Sequence, residues 1–183
     1  PIRSAILLTC QYLVNRPNYA ASMIVFQIGV EKKLSRPNHE EGMREIGDVL
    51  SFSDWPDFRP NVTPREIFLE GSFGGSYWRP IFSSVVSEDL SDQHLEFGEW
   101  WDGIEESLLT SEEYDKNRNR YKVKCGTTLD MWEEKGWIVE QDPYGWVQWY
   151  CRFYRGRRSE DDSRQVRRWK AFAGPRGRFR NHL

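Results

Sequence analysis

The sequence predicts an α-rich domain, of the α or α+β class, that ends in a pair of helices and has room for a small sheet. Three observations carry this. Aromatic residues recur at helical spacing in the last forty residues, helix-capping residues precede several apolar runs, and glycines close most of those runs. A length of 183 residues fits one domain or a domain with an appended segment. We divide it into an N-terminal extension or subdomain, 1–50, and a main α-rich domain, 51–183, carrying the helix pair.

Residues 1–34 are ambiguous: Ile6, Leu7, Leu8, Cys10, Leu13 and Val14 suit a buried helix or a strand, and Met23–Val30 has strand character. Polar Gln11 and Asn15 follow the Ala5–Leu8 run, which argues against a signal peptide. Asn38 is a helix cap, with Met43, Ile46, Val49 and Leu50 at helical spacing through 39–50. Residues 51–61, with Trp55-Pro56 and Arg59-Pro60, read as an extended connector. Thr63-Pro64-Arg65-Glu66 is a strong helix start, because Thr63 and Glu66 form a capping box and Pro64 suits the first helical position. Gly71 ends that helix after two turns.

Signals are mixed over 83–96. Short helices are expected within 100–109 and 111–114, and a strand over Tyr121–Cys125. Thr127 and Asp130 open a helix that Gly136 closes. Asp142-Pro143 opens the next, whose Trp146, Trp149, Tyr150 and Phe153 share one face. Gly156 ends it, and Ser159 with Asp162 begins the last helix. That helix turns Val166, Trp169 and Ala173 inward and stops at Gly174-Pro175.

Charge is divided unevenly. Residues 144–183 hold eleven Arg or Lys against three acids, leaving 15 basic and 25 acidic residues for 1–143. The end is therefore +8 and the remainder −10, within a total of −2. Such polarity points to an anionic partner for the C-terminal end. Arg157, Arg158, Arg164, Arg167 and Arg168 on the helix pair, with Arg176, Arg178 and Arg180 beyond it, suit the phosphates of a nucleic-acid backbone. The competing reading is intramolecular: the acidic body neutralises these arginines. The Trp146–Phe153 stripe is read as core rather than as a stacking platform.

The stretch Gly71-Ser72-Phe73-Gly74-Gly75-Ser76-Tyr77-Trp78-Arg79-Pro80 is the second candidate. Gly74, Gly75, Ser76 and Arg79 have the chemistry of an anion nest: adaptable backbone N–H groups, a hydroxyl and a fixed charge. The alternative is a tight turn that packs Tyr77 and Trp78. The stretch follows a helix, so it is neither a P-loop nor a dinucleotide fingerprint.

No catalytic set emerges. His39, His94 and His182 lack metal-ligand spacing with one another and with the cysteines, and no Gly-x-Ser-x-Gly elbow is present. No metal and no cofactor are expected. Cys10, Cys125 and Cys151, an odd and widely spaced set, suggest a reducing, intracellular setting rather than a disulfide framework. The apolar runs are too short to cross a bilayer.

The segments Thr63-Pro64-Arg65-Glu66-Ile67 to Gly71–Ile81, and Asp142-Pro143-Tyr144-Gly145-Trp146-Val147-Gln148-Trp149-Tyr150 to Gly156-Arg157-Arg158-Ser159, resemble those of a family of uncharacterised hypothetical proteins of algae and fungi. The resemblance runs from about Trp55 to Leu183, including Gly174–Arg180. It implies that residues 1–50 are a separate addition, and it transfers no catalytic residues. Three functions are expected from these features: a nucleic-acid-contacting anion-binding module, an enzyme or binding protein for a phosphorylated or carboxylated small molecule, or a subunit of a larger protein assembly.

Overall fold

The computed structural model describes residues 44–123 and 128–177. It is helical, with a small two-stranded antiparallel sheet. Helix α1, Pro64–Leu69, has the expected capping box: Thr63 accepts from the Glu66 N–H while Glu66 accepts from the Thr63 N–H. Glu70 and Gly71 end the helix, and Ile67 and Phe68 turn into the core.

The expected helix at 39–50 does not form over its described part, 44–50. Gly47 lies at φ 100°, and Arg44 reaches across to Glu66 at 2.6 Å and to the Asn61 carbonyl at 2.8 Å. Leu50 donates its N–H to Pro60, so tertiary pairing overrides the helical pattern here. Residues 39–43 lie outside the described residues, as do the N-terminal runs assigned to 1–34.

The sheet is a hairpin of β1, Ile81–Ser83, and β2, Glu88–Leu90. It is not built from Tyr121–Cys125. Tyr121–Val123 is irregular, with Lys122 at φ 56°, and the remainder of that segment is outside the described residues. The hairpin turn is held from outside by the carboxylate of Glu133, which accepts from Ser83 Oγ, Ser84 N and Ser84 Oγ. A 3-10 segment follows at Gln93–Trp100. Within 100–109 the helical signal reduces to a 3-10 turn, Glu106–Leu108, and 111–114 is not helical.

Helix α2, Leu129–Glu134, is capped by Thr128, one residue after the expected Thr127. Helix α3, Trp146–Tyr154, begins after Gly145 rather than at Asp142-Pro143, and packs against α1. Helix α4, Asp162–Phe172, carries Val166 and Trp169 inward as expected. The Trp146, Trp149, Tyr150 and Phe153 face is entirely buried. Phe58, from the connector, meets Trp149, Tyr150, Phe153 and Trp169 at ring-centroid distances of 5.1–5.8 Å, joining α3 to α4. No helix among the described residues is long and apolar enough to cross a membrane.

Candidate anion site

The Gly-rich loop after α1 lies beneath the segment 107–119. Gly71, at φ 61°, and Gly75, at φ 89°, admit that cover: a Cβ at either would stand 2.1 Å from a backbone oxygen, of Arg118 and Ser107 respectively. The cover is hydrogen-bonded in place. Ser111 N donates to Gly75 O at 2.9 Å, Asp115 N to Gly74 O at 3.0 Å, and Asn119 Nδ2 to Ser72 O at 3.0 Å.

Within the loop, Gly74 N donates to Gly71 O and Ser76 N to Phe73 O, while Ser76 Oγ also turns to Phe73 O. These groups brace the turn. Its chemically distinctive member is Arg79, which is 3% exposed. Arg79 Nη1 donates to Ser76 O at 3.0 Å, but the buried Nε and Nη2 have no acceptor among the described residues. Burial lowers the pKa of this guanidinium, opposed by the fields of Tyr144 and Asp130. An arginine nonetheless stays charged at neutral pH.

The loop is tied to α3 by two tyrosines. Tyr77 Oη donates to the Tyr144 carbonyl at 2.7 Å and accepts from Gln148 N at 2.9 Å. Gly145 has no side chain with which to cap α3, so the phenol from the loop takes that role. Gln148 Oε1 accepts in return from Tyr144 N at 2.9 Å. The Tyr144 hydroxyl donates to Arg79 O at 2.8 Å, with the Leu90 carbonyl at 3.2 Å. Burial pushes the Tyr144 phenol pKa well up, against the nearby Arg79 charge and with help from Asp92. The backbone of Arg79 is thus held through its carbonyl, and the loop is anchored again two residues earlier at Tyr77.

The helix-pair arginines are distributed differently. Arg157 pairs with Asp142 at 2.5 Å, and Arg152 joins the same carboxylate at 3.0 Å while also pairing with Glu96 at 2.6 Å. Asp142 is 1% exposed and sits between the two guanidinium groups. Arg158 pairs with Asp54 at 2.5 Å and lies 3.8 Å from the Phe153 ring centroid. Arg164 pairs with Asp161, which also accepts from Gln165. Asp162 accepts from Trp149 Nε1 and Ser159, so the acidic first turn is occupied by structural contacts.

Arg168 lies 4.1 Å above the Trp132 ring, and burial followed by repulsion from Arg164 pushes its pKa down to about 10. Arg167 and Arg176 are exposed, and no ion pair holds them among the described residues. Arg178 and Arg180 lie outside the described residues. Arg157 and Arg158 form their ion pairs with Asp142 and Asp54.

Sequence reasoning missed Tyr77, Tyr144 and Gln148 as the mount of Arg79. No local signal marks it, because Gly145 carries no capping side chain and the phenol that replaces it is 71 residues from Gln148 in sequence. Comparison of the chain with protein-family models, curated proteins and solved structures gives no match.

Proposed function

We propose that this protein binds a small anion at Arg79, with Gly74, Gly75 and Ser76 forming the turn that holds the arginine. The observation that carries this reading is the buried guanidinium with two nitrogens, Nε and Nη2, lacking acceptors. A buried cation that no carboxylate among the described residues pairs with is strongly unfavourable, and a bound oxyanion would offset that cost through charge-assisted hydrogen bonds. Further support comes from the bracing of the Arg79 backbone by Tyr144 and of its Nη1 by Ser76. A binding group fixed in advance loses less entropy on binding.

The nucleic-acid reading draws less support. Arg157, Arg158 and Arg164 are each closed onto a carboxylate of this chain, and Arg168 is spread over an indole. Neutralising phosphates would require exchanging those partners.

Thermal unfolding in acetate, benzoate, phosphate and sulfate, at constant ionic strength set with chloride, tests the proposal. At least one oxyanion is expected to raise Tm in a saturable manner in the wild type and not in Arg79→Met. Equal shifts in both proteins would refute the site.

A further inference from the structure

We infer that the anion is a monocarboxylate, rather than a phosphate or another dianion; this rests on the anion-binding reading of Arg79. The shape of the donor edge favours a carboxylate. One N–H of Nη1 is taken by Ser76 O, and the two nitrogens with no acceptor among the described residues are Nε and Nη2. These two nitrogens share one edge of the planar guanidinium, and their N–H bonds point in parallel. That edge matches the two oxygens of one carboxylate in a bidentate pair. A phosphate presents further oxygens, and each would need its own donor when buried.

Charge favours a monoanion. One cation neutralises one negative charge, and the field of Asp130 already acts on Arg79. A dianion would therefore carry an uncompensated charge into a site where the arginine itself is 3% exposed. The desolvation penalty grows with the square of the charge, so the second charge is disfavoured more strongly than the first. Tyr144 adds to this preference. Its hydroxyl proton is committed to the Arg79 and Leu90 carbonyls, so it is not available to a third oxygen of the ligand.

The test ranks acetate, propionate and benzoate against inorganic phosphate and methylphosphonate by isothermal titration on the full chain at pH 8, with ionic strength held constant. Saturation-transfer NMR on the wild type alone gives the same ranking without depending on a variant's folding. The carboxylates are expected to bind at least about tenfold tighter than phosphate, and Arg79→Lys is expected to weaken them by about tenfold or more, because lysine keeps the charge but loses the fork. Phosphate binding that equals or exceeds carboxylate binding, and that Arg79→Met abolishes, would overturn the carboxylate assignment while leaving the anion site standing. No binding of any of these anions would overturn both. Carboxylate binding that persists unchanged in Arg79→Met would also overturn both.

Discussion

Tyr77 caps a helix to which it does not belong: its hydroxyl accepts the Gln148 N–H at 2.9 Å in the first turn of α3 while donating to the Tyr144 carbonyl at 2.7 Å. One phenol therefore fixes the helix start, the preceding residue pair and the loop that carries Arg79. Tyr77→Phe keeps the ring, which contacts Phe73, Trp78 and Tyr144, and strands a buried donor and a buried acceptor. A loss of about 1–3 kcal/mol is expected, the range for unsatisfied buried polar groups. Urea denaturation checks this, with the midpoint falling and the m-value unchanged.

Arg79→Met separates a functional arginine from a structural one. Methionine fills similar volume and removes a buried cation that no carboxylate among the described residues pairs with. The ligand-free variant is expected to melt at or above the wild-type temperature, with anion stabilisation gone. Destabilisation by more than about 2 kcal/mol would instead make the arginine a structural element, in the range of other core losses.

Asp142 is shared by Arg152 and Arg157, so the two arginines should not act independently. Either one retains a partner for the carboxylate when the other is removed. The double variant Arg152→Ala plus Arg157→Ala strands a buried charge, and a loss of about 3–5 kcal/mol is expected, more than the two single losses combined. Additive losses from a double-mutant cycle in urea would contradict a shared pair.

Alkaline pH should weaken the fold through its buried tyrosines. Tyr150 donates to the Val62 carbonyl at 2.7 Å, and burial raises its pKa well above the usual 10, as it does for Tyr144. The folded state therefore keeps phenolic protons that the unfolded chain releases above pH 10. Stability is unaffected by these groups below that pH and falls as pH rises through it. Arg168, pushed down to about 10, works in the opposite direction over the same range, because the unfolded chain holds that proton longer. Arg79, also lowered by burial, opposes the tyrosines in the same sense; with the two phenols titrating first in the unfolded chain, Tm is expected to fall between about pH 9.5 and about pH 11, the titration range of free tyrosine. Tyr150→Phe should flatten the decline.

Arg167 is exposed on α4, and no ion pair holds it among the described residues. Arg167→Glu is expected to change stability by no more than about 0.5 kcal/mol. It therefore reports on surface electrostatics alone, unlike changes at Arg164 or Arg168, which would disturb the Asp161 pair or the Trp132 stack. Duplex binding measured at low salt in the wild type and in Arg167→Glu checks for a backbone contact without confounding loss of fold.

Helix starts were legible where one local motif decides them. The Thr63–Glu66 box lies within four residues of sequence and forms, whereas of the Ser159–Asp162 box only the Asp162 half forms: its carboxylate accepts from Ser159 N and Oγ, and the helix cap falls on Asp161 without a side-chain bond. The aromatic period of α3 was legible for the same reason. The hairpin at 81–90 was not: its turn contains no glycine, places Ser87 at φ 57°, and is held by Glu133 from α2. The helix expected over 39–50 yields in 44–50 to contacts of Arg44 and Leu50 with residues 60–66. At the site, composition identified Arg79 and its glycine loop, whereas the clamp joining Tyr77, Tyr144 and Gln148 spans about seventy residues and has no local signature. The pairing of Arg157 and Arg158 with Asp142 and Asp54 is likewise a property of the folded chain.

The most direct measurement of the central claim is a proton–nitrogen NMR spectrum of the arginine Nε–H groups, recorded while acetate is added. The account predicts that one protected Nε–H resonance, absent in Arg79→Lys, shifts downfield and saturates as the carboxylate accepts its hydrogen bond. An Arg79 resonance that stays fixed while the wild type reaches millimolar-scale excess of every oxyanion tested would contradict it.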